Sequence, residues 1–158
     1  MVILFMQYLI IFLISMVPLI ELRGAIPYAI GFKLPLLPSY IICILGNMLP
    51  VPFIFLFARK ILVWGSAKKY IGGFFNWCLK KGEKGGKKLQ EKAGRGLYVA
   101  LFLFVGIPLP GTGAWTGTLA ASLLDMDFKK STLAVMCGVV LAGIIMGLVS
   151  GGVFSFIR

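Results

Sequence analysis

Charge is absent from residues 1–20, 34–58, 96–124 and 131–157, and crowded into the segment between the second and third of these stretches. A core helix of a soluble domain alternates apolar and polar faces over roughly 8–20 residues. These stretches do not alternate, and runs of about twenty apolar residues point to a bilayer. The pattern predicts an all-α integral membrane protein forming a single membrane domain over residues 1–158. It divides into a first half (1–62), a basic connection (63–95) and a second half (96–158). A cleaved signal would carry a basic head and a small-residue cleavage site. Residues 1–20 have neither, and the expectation is that they stay.

Within each half the apolar runs are broken in the same order. A lead-in (about 7–20) meets Glu21-Leu22-Arg23-Gly24-Ala25, then come a short arm (25–32), a polar break from Lys33 to Ser39 and a long helix (38–60). The second lead-in (96–107) meets Pro110-Gly111-Thr112-Gly113-Ala114, then an arm (116–124), a break from Asp125 to Ser131 and a long helix (131–155). Gly24-Ala25 matches Gly113-Ala114, Ser39 matches Ser131, and Gly46 matches Gly138. At about 1.5 Å per residue, each second-half arm covers roughly half of a 30 Å hydrocarbon core. The economical reading is a re-entrant helical hairpin in each half, followed by a transmembrane helix. The alternative for the first half is that residues 1–20 span alone and leave Glu21 and Arg23 at an interface.

Composition sharpens this picture. The chain is 59% hydrophobic, and its net charge of +11 is concentrated: eleven Lys and Arg lie from Arg59 to Arg95 against Glu83 and Glu91. Between membrane segments, such a stretch reads as cytoplasmic by the positive-inside rule, not as a nucleic-acid site. With a cytoplasmic connection, the second hairpin enters from the inside and the first from the outside, giving an inverted-topology repeat. Trp64, Tyr70, Phe74, Phe75 and Trp77 among the lysines predict an interfacial amphipathic helix over about 66–81. Residues 82–96 are rich in Gly and Lys and are expected to be mobile. Anionic lipid head groups are the partner this segment would attract.

The candidate chemistry is sparse. There is no histidine, and Cys43, Cys78 and Cys137 form no CxxC pair, so no metal site, cofactor or catalytic residue is expected and the chain does not read as an enzyme. No GxxxxGK[ST] sequence supports a nucleotide site. Glu21 and Arg23 stand out, because ions at hydrocarbon depth face a partner, a cavity or a substrate path. Returning arms that begin near Gly24 and Gly113 would aim helix N-termini, which attract anions, at the membrane centre. The candidate substrate-binding set is Glu21, Arg23, Gly24, Asn47, Pro110, Gly111, Thr112, Gly113, Trp115 and Thr116. Asn47 precedes the Pro50/Pro52 kink and either satisfies its freed carbonyls or faces the cavity. The glycines at 138, 143, 147 and 151 read as a packing face.

Three motifs in order resemble the small multidrug export family: Glu21 to Pro27, Gly46-Asn47-Met48-Leu49-Pro50-Val51-Pro52, and Pro108 to Gly117. That family is in turn similar to the DedA/VTT superfamily, which implies re-entrant hairpins in inverted repeats. Some of those relatives move lipids, including the undecaprenyl phosphate carrier, and proton coupling has been proposed for them. The second hairpin here departs from the DedA pattern in carrying neither arginine nor acid, so only Glu21 and Arg23 match. The expected function is transport of an anionic amphiphile, a phosphorylated lipid head group above all, with protons exchanged at Glu21. A small-molecule exporter and a non-transporting scaffold with a lipid-binding loop are the alternatives, and a homo-oligomer, a dimer, is expected.

Overall fold

The structure, a computed structural model, describes residues 2–18, 20–70, 72–73, 75–77, 80 and 96–156, without the side chains of Arg59 and residues 153–156. Seven helices account for most of it: α1 (Val2–Met16), α2 (Glu21–Gly31), α3 (Leu36–Met48), α4 (Pro50–Ser66), α5 (Gly96–Gly106), α6 (Ala114–Leu123) and α7 (Phe128–Phe156). No strand occurs among the described residues. Part of the expected interfacial segment, with Cys78, and all of residues 82–95 lie outside them. Its described residues are turn at 67–70 and helical at Gly72, Gly73, Phe75–Trp77 and Lys80.

Two stretches are long and apolar enough to cross a bilayer. One is Leu36–Ser66, of 31 residues and mean hydropathy 2.3, and the other is Phe128–Gly152, of 25 residues and mean hydropathy 2.5. Only 28% of each apolar window is buried, so both present most of their apolar surface outward, as lipid-facing helices do and soluble core helices do not. The first is continuous through Leu49, whose backbone is helical, but Pro50 and Pro52 withdraw two N–H groups and divide it into α3 and α4. α1, with 15 residues, is about 22 Å long, and α2, α5 and α6 are each about 15–17 Å. None of these four matches a hydrocarbon core of about 30 Å.

The short helices follow one another in two pairs, α1–α2 and α5–α6. The start of α3 lies against the later part of α7, where Leu36, Leu37 and Tyr40 line a groove with Gly143, Ile144, Gly147 and Leu148. The end of α4 instead lies beside the end of α6, with Lys60, Val63 and Trp64 facing Ser122 and Asp125. At that same end Lys68 Nζ sits 4.6 Å from the Trp64 ring, and Lys130 Nζ 5.9 Å from the Tyr98 ring. Asp127 caps α7 there, its Oδ1 accepting from Lys130 N at 2.9 Å.

The two hairpins leave the bundle through the same kind of turn. Lys33 and Asp125 both adopt left-handed backbone, with φ of 57° and 56°. Around Lys33, Phe32 N donates to Tyr28 O and Leu34 N to Ala29 O; around Asp125, Leu124 N donates to Ala120 O and Met126 N to Ala121 O. Each closes its helix as a left-handed C-terminal cap. Beyond the turn the likeness continues. A Cβ on Gly46 would stand 2.7 Å from Phe12 O and 2.1 Å from Ser15 Oγ, and one on Gly138 would stand 2.8 Å from Phe102 O and 2.7 Å from Val105 Cβ. In both halves glycine brings the long helix onto the lead-in helix closer than any side chain would permit. Gly143 likewise meets Tyr40, whereas a Cβ on Gly147 would meet nothing within 4 Å. The glycine face of α7 is therefore packed only along its first half within one chain.

The core that results is built of small and branched side chains drawn from all the helices: Ile11, Leu22, Ala25, Ile26, Ala29, Cys43, Val51, Val105, Ala114, Ala121, Val135 and Val139.

Candidate functional site

The tips of the two hairpins meet, and their contact is made almost wholly of side chains from one tip and backbone from the other. α6 begins at Ala114 after Gly113, and glycine has no side chain with which to cap the first amides. Glu21 supplies the missing acceptor. Ala114 N donates to its Oε2 at 3.1 Å and Trp115 N to its Oε1 at 3.0 Å, so both carboxylate oxygens are engaged by successive N–H groups. The carboxylate is 4% exposed and sits at the positive end of α6, where a negative group gains up to about 2 kcal/mol. Gly113 is required there, because a Cβ at 113 would fall 2.3 Å from Glu21 Oε2, and its φ of 148° disfavours other residues.

Arg23 does the converse for the other arm. Its Nη1 donates to Leu109 O at 2.7 Å, and its Nη2 to Val105 O at 3.0 Å and Ile107 O at 3.2 Å. Those carbonyls belong to the last turn of α5 and the loop after it, where the helix leaves acceptors without intrahelical partners. A cation at a helix C-terminus is also favoured by the backbone dipole. Three of the guanidinium's N–H groups are thus engaged by carbonyl oxygens.

Trp115 returns the interaction, with Nε1 donating to Met16 O at 3.1 Å, at the C-terminus of α1. The remaining polar groups of the second tip are used within it. Thr112 Oγ1 lies 3.0 Å from Ile107 O and 2.9 Å from Leu109 O and accepts from Leu109 N, while Thr116 Oγ1 donates to Gly113 O at 3.4 Å. Pro110 and Gly111 form the exposed outer edge of the turn. Gly24 lies at the first turn of α2, its N–H bonded to Ile20 O.

Of the residues expected to act together, Glu21, Arg23, Thr112, Gly113, Trp115 and Thr116 are joined by these contacts. Asn47 is not joined to them by any of these bonds. It is buried in α3, and its Oδ1 has no hydrogen-bond partner, as is also true of the buried hydroxyls of Thr118 and Ser131. The backbone partners, Met16 O, Val105 O, Ile107 O and Leu109 O, escape sequence reasoning because a carbonyl has no residue signature. Ser122, which donates to Phe55 O at 2.8 Å and fastens α6 to α4, carried a weak signal as a lone polar residue in an apolar arm.

Beside the tips, between α4 and α6, lies a groove of about 530 Å³. Pro18, Trp115 and Thr116 close its tip end, and Phe53, Phe57, Ile61 and Leu119 form apolar walls.

Apolar long helices, with a buried carboxylate and a partly buried guanidinium bonded to the backbone of the other tip, define an all-helical membrane protein with a polar centre. The family model for small multi-drug export proteins matches residues 21–145, and the chain belongs to that family. The match opens at Glu21 and takes in both tips. No curated protein and no solved structure matches the chain.

Proposed function

We infer that the chain is a membrane transporter of amphiphiles carrying an anionic group, and that the head of the substrate competes with Glu21 for the first amides of α6. One observation carries this reading: two successive N–H groups hold both oxygens of a carboxylate at 3.1 and 3.0 Å. That geometry accepts any oxyanion presenting two oxygens, a carboxylate or a phosphate alike. The apolar groove sharing Trp115 and Thr116 with the tip suits the tail of such a molecule, at a volume within the roughly 300–1,000 Å³ usual for ligand sites. Protonation of Glu21 converts one oxygen from acceptor to donor and frees an amide, which is how a proton would couple to substrate exchange. No covalent step is required.

The membrane arrangement belongs to the same proposal. The hairpins enter a cell membrane from opposite faces without crossing it, in an inverted-topology repeat, with the basic connection on the cytoplasmic side. Its support is the matched Lys33 and Asp125 turns, the matched packing of Gly46 and Gly138, and Lys60, Lys68 and Lys130 gathered at one end. In proteoliposomes, flux of a fluorescent anionic amphiphile per folded molecule is expected to fall at least about tenfold in Glu21→Gln and Arg23→Ala. Unchanged flux in both variants ends the reading.

The family's description favours a second reading, multi-drug export; with Glu21 as the exchanging carboxylate, the compounds would often be cationic. It predicts that substrate affinity falls as protons compete at Glu21. Affinity that stays flat from acid to alkaline pH counts against it.

A further inference from the structure

We propose that the turn from Ile107 to Gly111, with Arg23 beside it, is the contact surface for a second copy of this chain. The inference rests on the reading that the hairpin tips lie at hydrocarbon depth. At that depth, non-helical backbone is tolerated only when covered by protein or facing water, because lipid offers no hydrogen bonds. Yet within one chain this turn is open: Ile107 is 43% exposed, Leu109 is 55% exposed, and Pro110 and Gly111 are exposed as well. Arg23 is itself only partly buried, and two of its bonds, to Leu109 O and Ile107 O, lie at this open edge.

Lipid is therefore excluded as the covering. Water would satisfy the polar groups of the turn but leave the exposed Ile107 and Leu109 side chains uncovered. A second copy answers both needs. Pro108 and Pro110 have no N–H and contribute carbonyl acceptors alone, whereas arginine has five N–H donors, three of which are engaged by Val105, Ile107 and Leu109. One patch thus carries surplus acceptors beside surplus donors, and so is complementary to itself. Rotated onto a copy about a two-fold axis, it offers arginine donors to proline carbonyls in both directions while Ile107 and Leu109 pack against their equivalents.

The test uses the full chain with its cysteines replaced, carrying Leu109→Cys or, as control, Leu133→Cys on the exposed face of α7. The expected result is that Leu109→Cys resists a membrane-impermeant maleimide added to either face and forms a disulfide-linked dimer under a membrane-permeant oxidant, while Leu133→Cys does not crosslink. Independently, fluorescently labelled wild-type protein in a bilayer should bleach in two steps. Leu109→Ala should weaken dimerisation by at least about tenfold. If the maleimide reaches residue 109 from one face, the depth reading fails and the proposal with it. Protection at 109 with one-step bleaching and no crosslink leaves the depth reading intact and overturns the dimer. Two-step bleaching with a crosslink at 133 and none at 109 overturns this surface in favour of another.

Discussion

The two hairpin tips differ in what they bring to their meeting. The first tip holds a carboxylate and a guanidinium two residues apart; the second holds no charge at all. The second, however, offers both ends of its broken backbone: amides at the start of α6 and carbonyls at the end of α5. One tip supplies side chains and the other supplies the peptide poles that those side chains neutralise. The absence of acid and arginine from the second hairpin is thus explained by the first, which provides one of each for it.

This division of labour can be broken from either side, and Arg23→Ala should do most damage. It removes the charged donor from three carbonyls, of which Ile107 O keeps Leu109 N and Leu109 O keeps Thr112 N, and with hydrogen bonds to charged groups worth about 1.5–3 kcal/mol each, a loss of several kcal/mol is expected. Thermal unfolding in detergent measures it. Arg23→Lys should recover only part, because a single ammonium cannot follow carbonyls spread over residues 105, 107 and 109.

Glu21→Ala comes next, at about 3–4 kcal/mol for two charge-assisted bonds and the helix-end interaction. Adding acetate should restore part of the lost melting temperature of this variant, since the amides of Ala114 and Trp115 are then free to take a carboxylate from solution. Absence of any acetate effect would show that the pair does not act as an anion site.

Gly113→Ala probes the same contact from the second tip. It pushes a methyl group into Glu21 and is expected to cost about 1–3 kcal/mol, an effect that Glu21→Ala should largely absorb when the two are combined in a double-mutant cycle. Trp115→Phe removes the bond to Met16 O together with part of the ring and should cost about 0.5–1.5 kcal/mol for the bond by the same unfolding assay. The smallest effect has the opposite sign. Lys33→Gly relieves a left-handed residue and should stabilise by no more than about 1 kcal/mol.

Much of the architecture was legible in the residues. Uncharged runs marked the long helices, paired breaks marked the hairpins, Pro50 and Pro52 marked the division of the first long helix, and Gly46 and Gly138 proved to occupy matching contacts. The register at the tips was not. Matching Gly24-Ala25 to Gly113-Ala114 by residue type places the second half three residues out of step with the geometry. The spacing that relates Lys33 to Asp125 relates Glu21 to Gly113 and Arg23 to Trp115. Glu21 explains the error: it adopts left-handed backbone, with φ of 52°, in the position where the second half has glycine. Arg23 and Trp115 then become counterparts, each reaching across to carbonyls at the end of the opposite lead-in helix. Neither residue type predicts the other, because a guanidinium and an indole N–H share only the ability to donate. The carbonyls that Arg23 engages stay hidden for a related reason: the sequence displays its charge but not the backbone oxygens it reaches.

The division at Leu49 has a mechanical consequence. Gly46 locks α3 onto α1, on the near side of the division, whereas Ser122 clasps α6 to α4 on the far side. Bending at that joint would swing α4 and α6 together as one lever, and the first thing drawn out of reach at its tip would be the pair of amides that Glu21 holds.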